Sequence, residues 1–281
     1  MWRRGWCLIG IVLMLQACAS APPQAPLEEA LRTYEERARN RFETGDLSAA
    51  AYNFERSVAL AEMANDHASM VTNLLNLGGT LSLMGQQRDA ETAYQRAVKL
   101  AALNDQTEME IRALSGLAEL AYRRGDLVGA TAQYQQLLHH PDLVRHPMVD
   151  GAVRNGLALS AMAMGRLEQA ERHIQVGESL MSSLTAAGQS ATLLNRATLE
   201  LRRGALSVAA DAAESALAID RESGYTPGIV ADLELLGQIG RRQGNLGEAR
   251  IYFGQALSLY QRLGLASDAK RVQLLLDSLS P

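Results

Sequence analysis

Glycine returns along this chain at Gly45, Gly85, Gly125, Gly165, Gly204 and Gly244, spaced by 40 residues four times and by 39 once. Around each one the pattern repeats. Seven residues before stands Ala38, Gly78, Ala118, Ala158, Ala197 or Gly237, and five residues after stands Ala50, Ala90, Ala130, Ala170, Ala209 or Ala249. Small side chains at fixed places on two flanking helices let them cross closely, and glycine relieves the turn of a crowding Cβ. The clearest copy runs from Leu74 to Ala101, where an apolar helical run meets Gly85 and resumes with Ala90, Tyr94 and Ala97 on one face. One such hairpin cannot bury its apolar face alone, so the period predicts a stack with a core running from unit to unit.

The expected fold is therefore all-α: a right-handed superhelical solenoid of six helical hairpins, followed by a C-terminal capping helix. That last helix is read from Ser267 to Leu279, with Val272, Leu275, Leu276 and Leu279 on one side and Ser267 or Asp268 as N-cap. Aromatic residues make up only 5% of the chain, as close-packed Ala and Leu helices require. In the fifth repeat the pattern weakens, because Arg196 and Glu200 fall where Leu77 and Leu81 stand in the second. Burying charge is costly, so a local helix rotation that solvates both is favoured over a buried ion pair.

These residues resemble the tetratricopeptide repeat family over about residues 30 to 265: LGGTLSLMG, then Ala90, Tyr94 and Ala97, follows the family's order of small residue, large residue, turn glycine, alanine, aromatic, alanine. The departures are a 40-residue period against the common 34, and Leu81 where an aromatic is frequent. The resemblance implies a protein-binding scaffold whose concave groove takes a partner protein or an extended peptide. Carried over residue by residue, it selects Asn76, Arg112, Glu119, Tyr122, Arg123, Asn155, Asn195, Arg202, Gln238 and Arg241 as groove residues. Asparagines there would bond a peptide backbone, and arginines would meet carboxylates.

The first residues carry a separate signal. Arg3 and Arg4 precede the apolar run Cys7 to Leu15, and Leu15 to Cys18 resembles the lipobox of bacterial lipoproteins. The resemblance implies a signal peptide over 1–17, lipidation of Cys18, and a Pro/Ala linker over 18–26 that cannot form a helix, with the solenoid over 27–281. An ordinary secretory signal with a cysteine at its cleavage site is the alternative. Ala19 and Ser20, lacking the aspartate associated with inner-membrane retention, point to an outer-membrane lipid anchor with the chain facing the periplasm. The expected function is then an adaptor for an envelope complex, with a peptidoglycan-associated structural protein or a cell-wall enzyme as alternatives.

Chemistry is sparse. No nucleophile elbow, zinc-protease helix or phosphate loop occurs. His139, His140 and His146 lack the spacing of a metal site, so no metal, cofactor or small-molecule substrate is expected. A formal charge of −4 argues against nucleic acid as a partner.

Overall fold

The computed structural model describes residues 24–279. Six antiparallel hairpins follow one another along the chain. They are α1 (Gln24–Glu43) with α2 (Leu47–Ala64), α3 (His67–Leu83) with α4 (Gln87–Leu103), and α5 (Thr107–Arg123) with α6 (Leu127–Leu138). After these come α7 (Pro147–Ala163) with α8 (Leu167–Ser179), α9 (Ala186–Arg203) with α10 (Leu206–Ser223), and α11 (Thr226–Gln243) with α12 (Leu246–Arg262). A closing helix, α13 (Ala266–Asp277), packs on α12. The chain is thus an all-α superhelical solenoid with a C-terminal cap.

All six turn glycines have positive φ, between +73° and +84°, where a Cβ would be strained. A second left-handed position punctuates the joints between hairpins: Asn65, Asp105, Gly224 and Gly264. After the third and fourth hairpins this turn gives way to longer connections with 3-10 turns at Leu143–Arg145 and Met181–Ser183. Side-chain caps start several helices. Asp46, Asp66 and Asp126 accept from the backbone N–H groups of Ala49, Ser69 and Gly129 at 3.2, 3.0 and 2.8 Å.

The small positions work as notches for aromatic rings. Gly78 and Gly116 both abut the Tyr94 ring, Gly156 the Tyr134 ring and Gly237 the Phe253 ring, each too closely for a Cβ. An aromatic on the second helix of one hairpin thereby locks its own first helix, that of the next hairpin, or both.

Four expectations change. Helix α1 begins at Gln24, inside the segment read as a non-helical linker, because proline in the first turn of a helix loses no hydrogen bond. The cap helix starts from Leu265, not Ser267 or Asp268; Val272 and Leu279 are buried, while Leu275 and Leu276 are only partly so. The apolar core is divided into four clusters and does not run unbroken. One division falls at α9, which is not rotated: Ala197 is fully buried in the register of Ala118 and Ala158.

Arg196 and Glu200 therefore stay in the inner register, with side chains only 16% and 12% exposed. Arg196 bonds both carboxylate oxygens of Glu178 at 2.8 Å, Glu171 at 2.8 Å and Glu200 at 3.2 Å, and Arg203 reaches Glu171 at 2.5 Å. Bonds to Glu178 foremost hold the Arg196 guanidinium above its ordinary pKa against the opposing effect of burial. An ionic joint between α8 and α9 replaces the leucines of other repeats.

The superhelix closes on itself. Gly45, in the first turn, packs so tightly against Leu263 at the end of the sixth hairpin that a Cβ would collide with it, and Thr226 lies beside them. The Phe42 and Tyr225 rings meet with centroids 6.0 Å apart and an interplanar angle of 32°. First and last repeats touch, and the concave face becomes the wall of an internal space.

Candidate partner-binding cavity

Helices α5 and α7 together contribute most of that wall. Arg112, Ser115, Glu119, Tyr122 and Arg123 recur at helical spacing, which places them along one face. With Tyr134, Asn155, Leu159 and Tyr225 they line a cavity of about 760 Å³. Arg123 donates to Glu119 from Nε at 2.8 Å, and its Nη2 lies 2.7 Å from the same carboxylate. Burial works against the Arg123 charge, but Glu119 more than offsets it and the guanidinium sits above its ordinary value. Arg112 makes no ion pair among the described residues; its guanidinium meets only the Met109 sulfur, at 3.6 Å.

Phenols converge on this pair. Tyr94, Tyr134 and Tyr225 each feel the charges of Glu119 and Arg123, and burial pushes all three above the ordinary tyrosine pKa, with Glu119 adding to it at Tyr94 and Tyr134 and Asp220 ahead of Glu119 at Tyr225, which rises to about 12. None of the three hydroxyls makes a hydrogen bond to another described residue. A cavity lined by Val149, Leu159 and Leu184, by the Tyr134 and Tyr225 phenols and by two guanidiniums suits a ligand having both polar backbone and apolar side chains.

A second chamber of about 350 Å³ lies at the seam of the ring. Arg123, Ala187, Ala191 and Tyr225 belong to both chambers, so the two spaces adjoin.

Arg112, Glu119, Tyr122, Arg123 and Asn155, half of the groove residues expected from sequence, come together in the larger chamber. The other five do not. Asn76 is half-buried outside both chambers. Asn195 is buried and donates to the Asn155 side chain at 3.1 Å, while Asn155 also meets Thr192 at 3.2 Å, so these amides tie α7 to α9. Arg202 donates to the Met162 carbonyl at 3.0 Å, Gln238 bonds Glu234 at 3.2 Å, and Arg241 stands exposed. Tyr134 and Tyr225 were not among the expected residues. The first stands on α6 four residues after Ala130, at the position of Tyr94 in the second repeat, and the second precedes α11 outside the repeat motif.

Among the described residues no three His, Cys, Asp or Glu side chains gather to hold a metal ion. His139 contacts the Gln135 carbonyl at 2.7 Å and His146 contacts Glu108 at 3.3 Å, so neighbours on or near their own helices account for both.

Tetratricopeptide repeat family profiles match residues 29–102 and 233–263. The two segments carry the glycine and alanine register that the structure repeats through all six hairpins, with the aromatic that recurs in four of them. These two segments are tetratricopeptide repeats. None of the curated proteins matches the chain's sequence. Solved structures do resemble its fold. A Rap conjugation gene regulator of the plasmid pLS20, in complex with a Phr peptide, superposes with a TM-score of 0.66 at 14% identity, over 86% of this chain and 65% of that one. NprR in complex with its cognate peptide NprX gives 0.64 at 14% identity, over 90% and 73%. A Rap protein complexed with competence and sporulation factor gives 0.63 at 12%, over 91% and 78%.

These likenesses overturn the reading of the chain as an envelope adaptor on a lipid anchor. The folds it shares over most of its length include those of a conjugation gene regulator and of NprR, each in complex with a peptide. The outer-membrane and periplasmic placement, the membrane as a partner, and the peptidoglycan and cell-wall alternatives are withdrawn with it. That placement rested on a short N-terminal pattern; Cys18 lies outside the described residues.

Proposed function

We propose that this tetratricopeptide-repeat ring is a non-enzymatic receptor for an extended peptide, free or as a segment of a partner protein, held in the larger chamber. The observation that carries this reading is the convergence of Arg112, the Glu119–Arg123 pair, Tyr122 and Asn155 on one cavity inside a closed ring. An extended strand presents backbone N–H and C=O groups along its whole length, and hydroxyls, an amide and guanidiniums are the groups that satisfy them. A bound peptide is also what the Rap and NprR structures contain. The chain spans 65% of the length of the first of these, and what those proteins regulate is not carried over.

Selection from a random displayed peptide library, followed by calorimetry on the winners, tests the reading. Binding is expected to fall at least tenfold in Arg112→Glu/Arg123→Glu, with the far-ultraviolet circular dichroism unchanged. Selected peptides that bind this double variant as tightly as the parent would place the site elsewhere.

A further inference from the structure

The second chamber is built from opposite ends of the chain. Leu47 and Leu83 come from the first two repeats, Val230, Leu263 and Leu265 from the last, and Tyr225 stands where the ends meet. The chamber exists only while Gly45 rests on Leu263 and Phe42 on Tyr225.

Its chemistry differs from that of the larger chamber. The carboxylates at its edge are already engaged: Asp268 accepts from Arg271 at 2.8 Å and Asp220 from Ser190 at 2.6 Å. Arg123, shared with the larger chamber, is held by Glu119. What remains facing the space is largely aliphatic, with the Tyr225 and Tyr260 rings beside it, and an apolar side chain entering it leaves water without stranding a charge. The shared wall at Arg123 and Tyr225 lets one molecule occupy both chambers.

We infer that the seam chamber is a second subsite, which takes one large apolar side chain of a peptide whose backbone lies in the larger chamber, and so makes binding depend on the closed ring. This rests on the peptide reading above. A ligand that fills a site present only in the closed state stabilises that state by its differential affinity. The space lies inside the ring, which excludes a folded second copy as its occupant.

The test uses peptides selected against the full chain and the variant Leu83→Glu. Leu83 is half-buried and outside the apolar clusters, so the substitution leaves the packed core intact. The winners are expected to share a Leu, Ile, Phe or Tyr at one position. Alanine at that position should weaken binding at least tenfold to the parent chain and hardly at all to Leu83→Glu, because the two changes remove the same contact. Equal weakening in both proteins, or winners lacking any common apolar residue, overturns the subsite while leaving the peptide receptor standing. A selection yielding no binder overturns both.

Discussion

Asp232 and Asp220 are the residues least expected where they sit. Asp232 lies twelve residues before its turn glycine, a register filled by the buried but uncharged Asn73, Ala113, Val153 and Thr192 in other repeats, and Asp220 takes the register of Ala61 and Ala101. Both carboxyls are buried, and no cation offsets them. Burial first, and then the Asp220 charge, pushes the Asp232 pKa up to about 8, and burial raises Asp220 as well. Both Asp232 oxygens lack a hydrogen-bond partner among the described residues. The folded chain thus keeps a proton that the unfolded chain releases near pH 4, so this contribution to stability is full below that pH and is lost as pH rises through about 8. Asp232→Asn supplies a permanent donor. It should flatten the profile over that window and stabilise the fold at pH 8 by roughly 1 to 3 kcal/mol, read from urea unfolding at pH 5 and pH 8. Parallel profiles for the two proteins would show that the pair holds no such proton. The repeat register itself could have exposed these acids, since aligning the hairpins puts an aspartate under uncharged residues; motif reading passes over the column because it is not a signature position.

Among the elements, the hairpins, their glycine turns and the small residues at crossings were legible because each is dictated within one repeat and then copied. The ionic joint was read in the wrong direction. Rotation of α9 was favoured on the cost of burying Arg196 and Glu200, but that cost presumes an isolated pair. Glu171 and Glu178 arrive from α8, and Arg203 from the next turn of α9, to complete the network. Partners from a neighbouring helix are invisible in a single-helix pattern. Hydrogen bonds from both arginines hold Glu171 below its ordinary pKa although burial opposes them. Arg196→Met leaves three carboxylates facing one another at the joint of α8 and α9, and should cost about 3 kcal/mol at pH 7 in chemical denaturation. Replacing Glu171 and Glu178 by Gln in that variant should recover part of the loss, because the repulsion rather than the missing bonds carries most of it. No recovery would mean that Arg196 acts by packing alone.

For the whole molecule, the solenoid was legible and the ring was not. Closure depends on a small rotation accumulated over six units, and no local pattern encodes where the sum brings the ends. Gly45 read as one more turn residue, although it alone among the turn glycines is pressed against another repeat; no atom lies near the Cβ positions of Gly85, Gly125, Gly165, Gly204 and Gly244. The groove residues divide for the same reason. Those on α5 face the enclosed space, whereas Asn195, Arg202 and Gln238 are turned to bonds within the chain. The closed ring is what turns a shallow concave face into two joined chambers, and it is tested most directly by double electron–electron resonance. Spin labels at the exposed positions Thr44 and Arg262, with Cys7 and Cys18 replaced by serine, flank the contact of Gly45 with Leu263. The account predicts a single, narrow and short distance in the peptide-free protein, lengthened by Phe42→Asp; a broad distribution at long distance in the unmodified ring would contradict it.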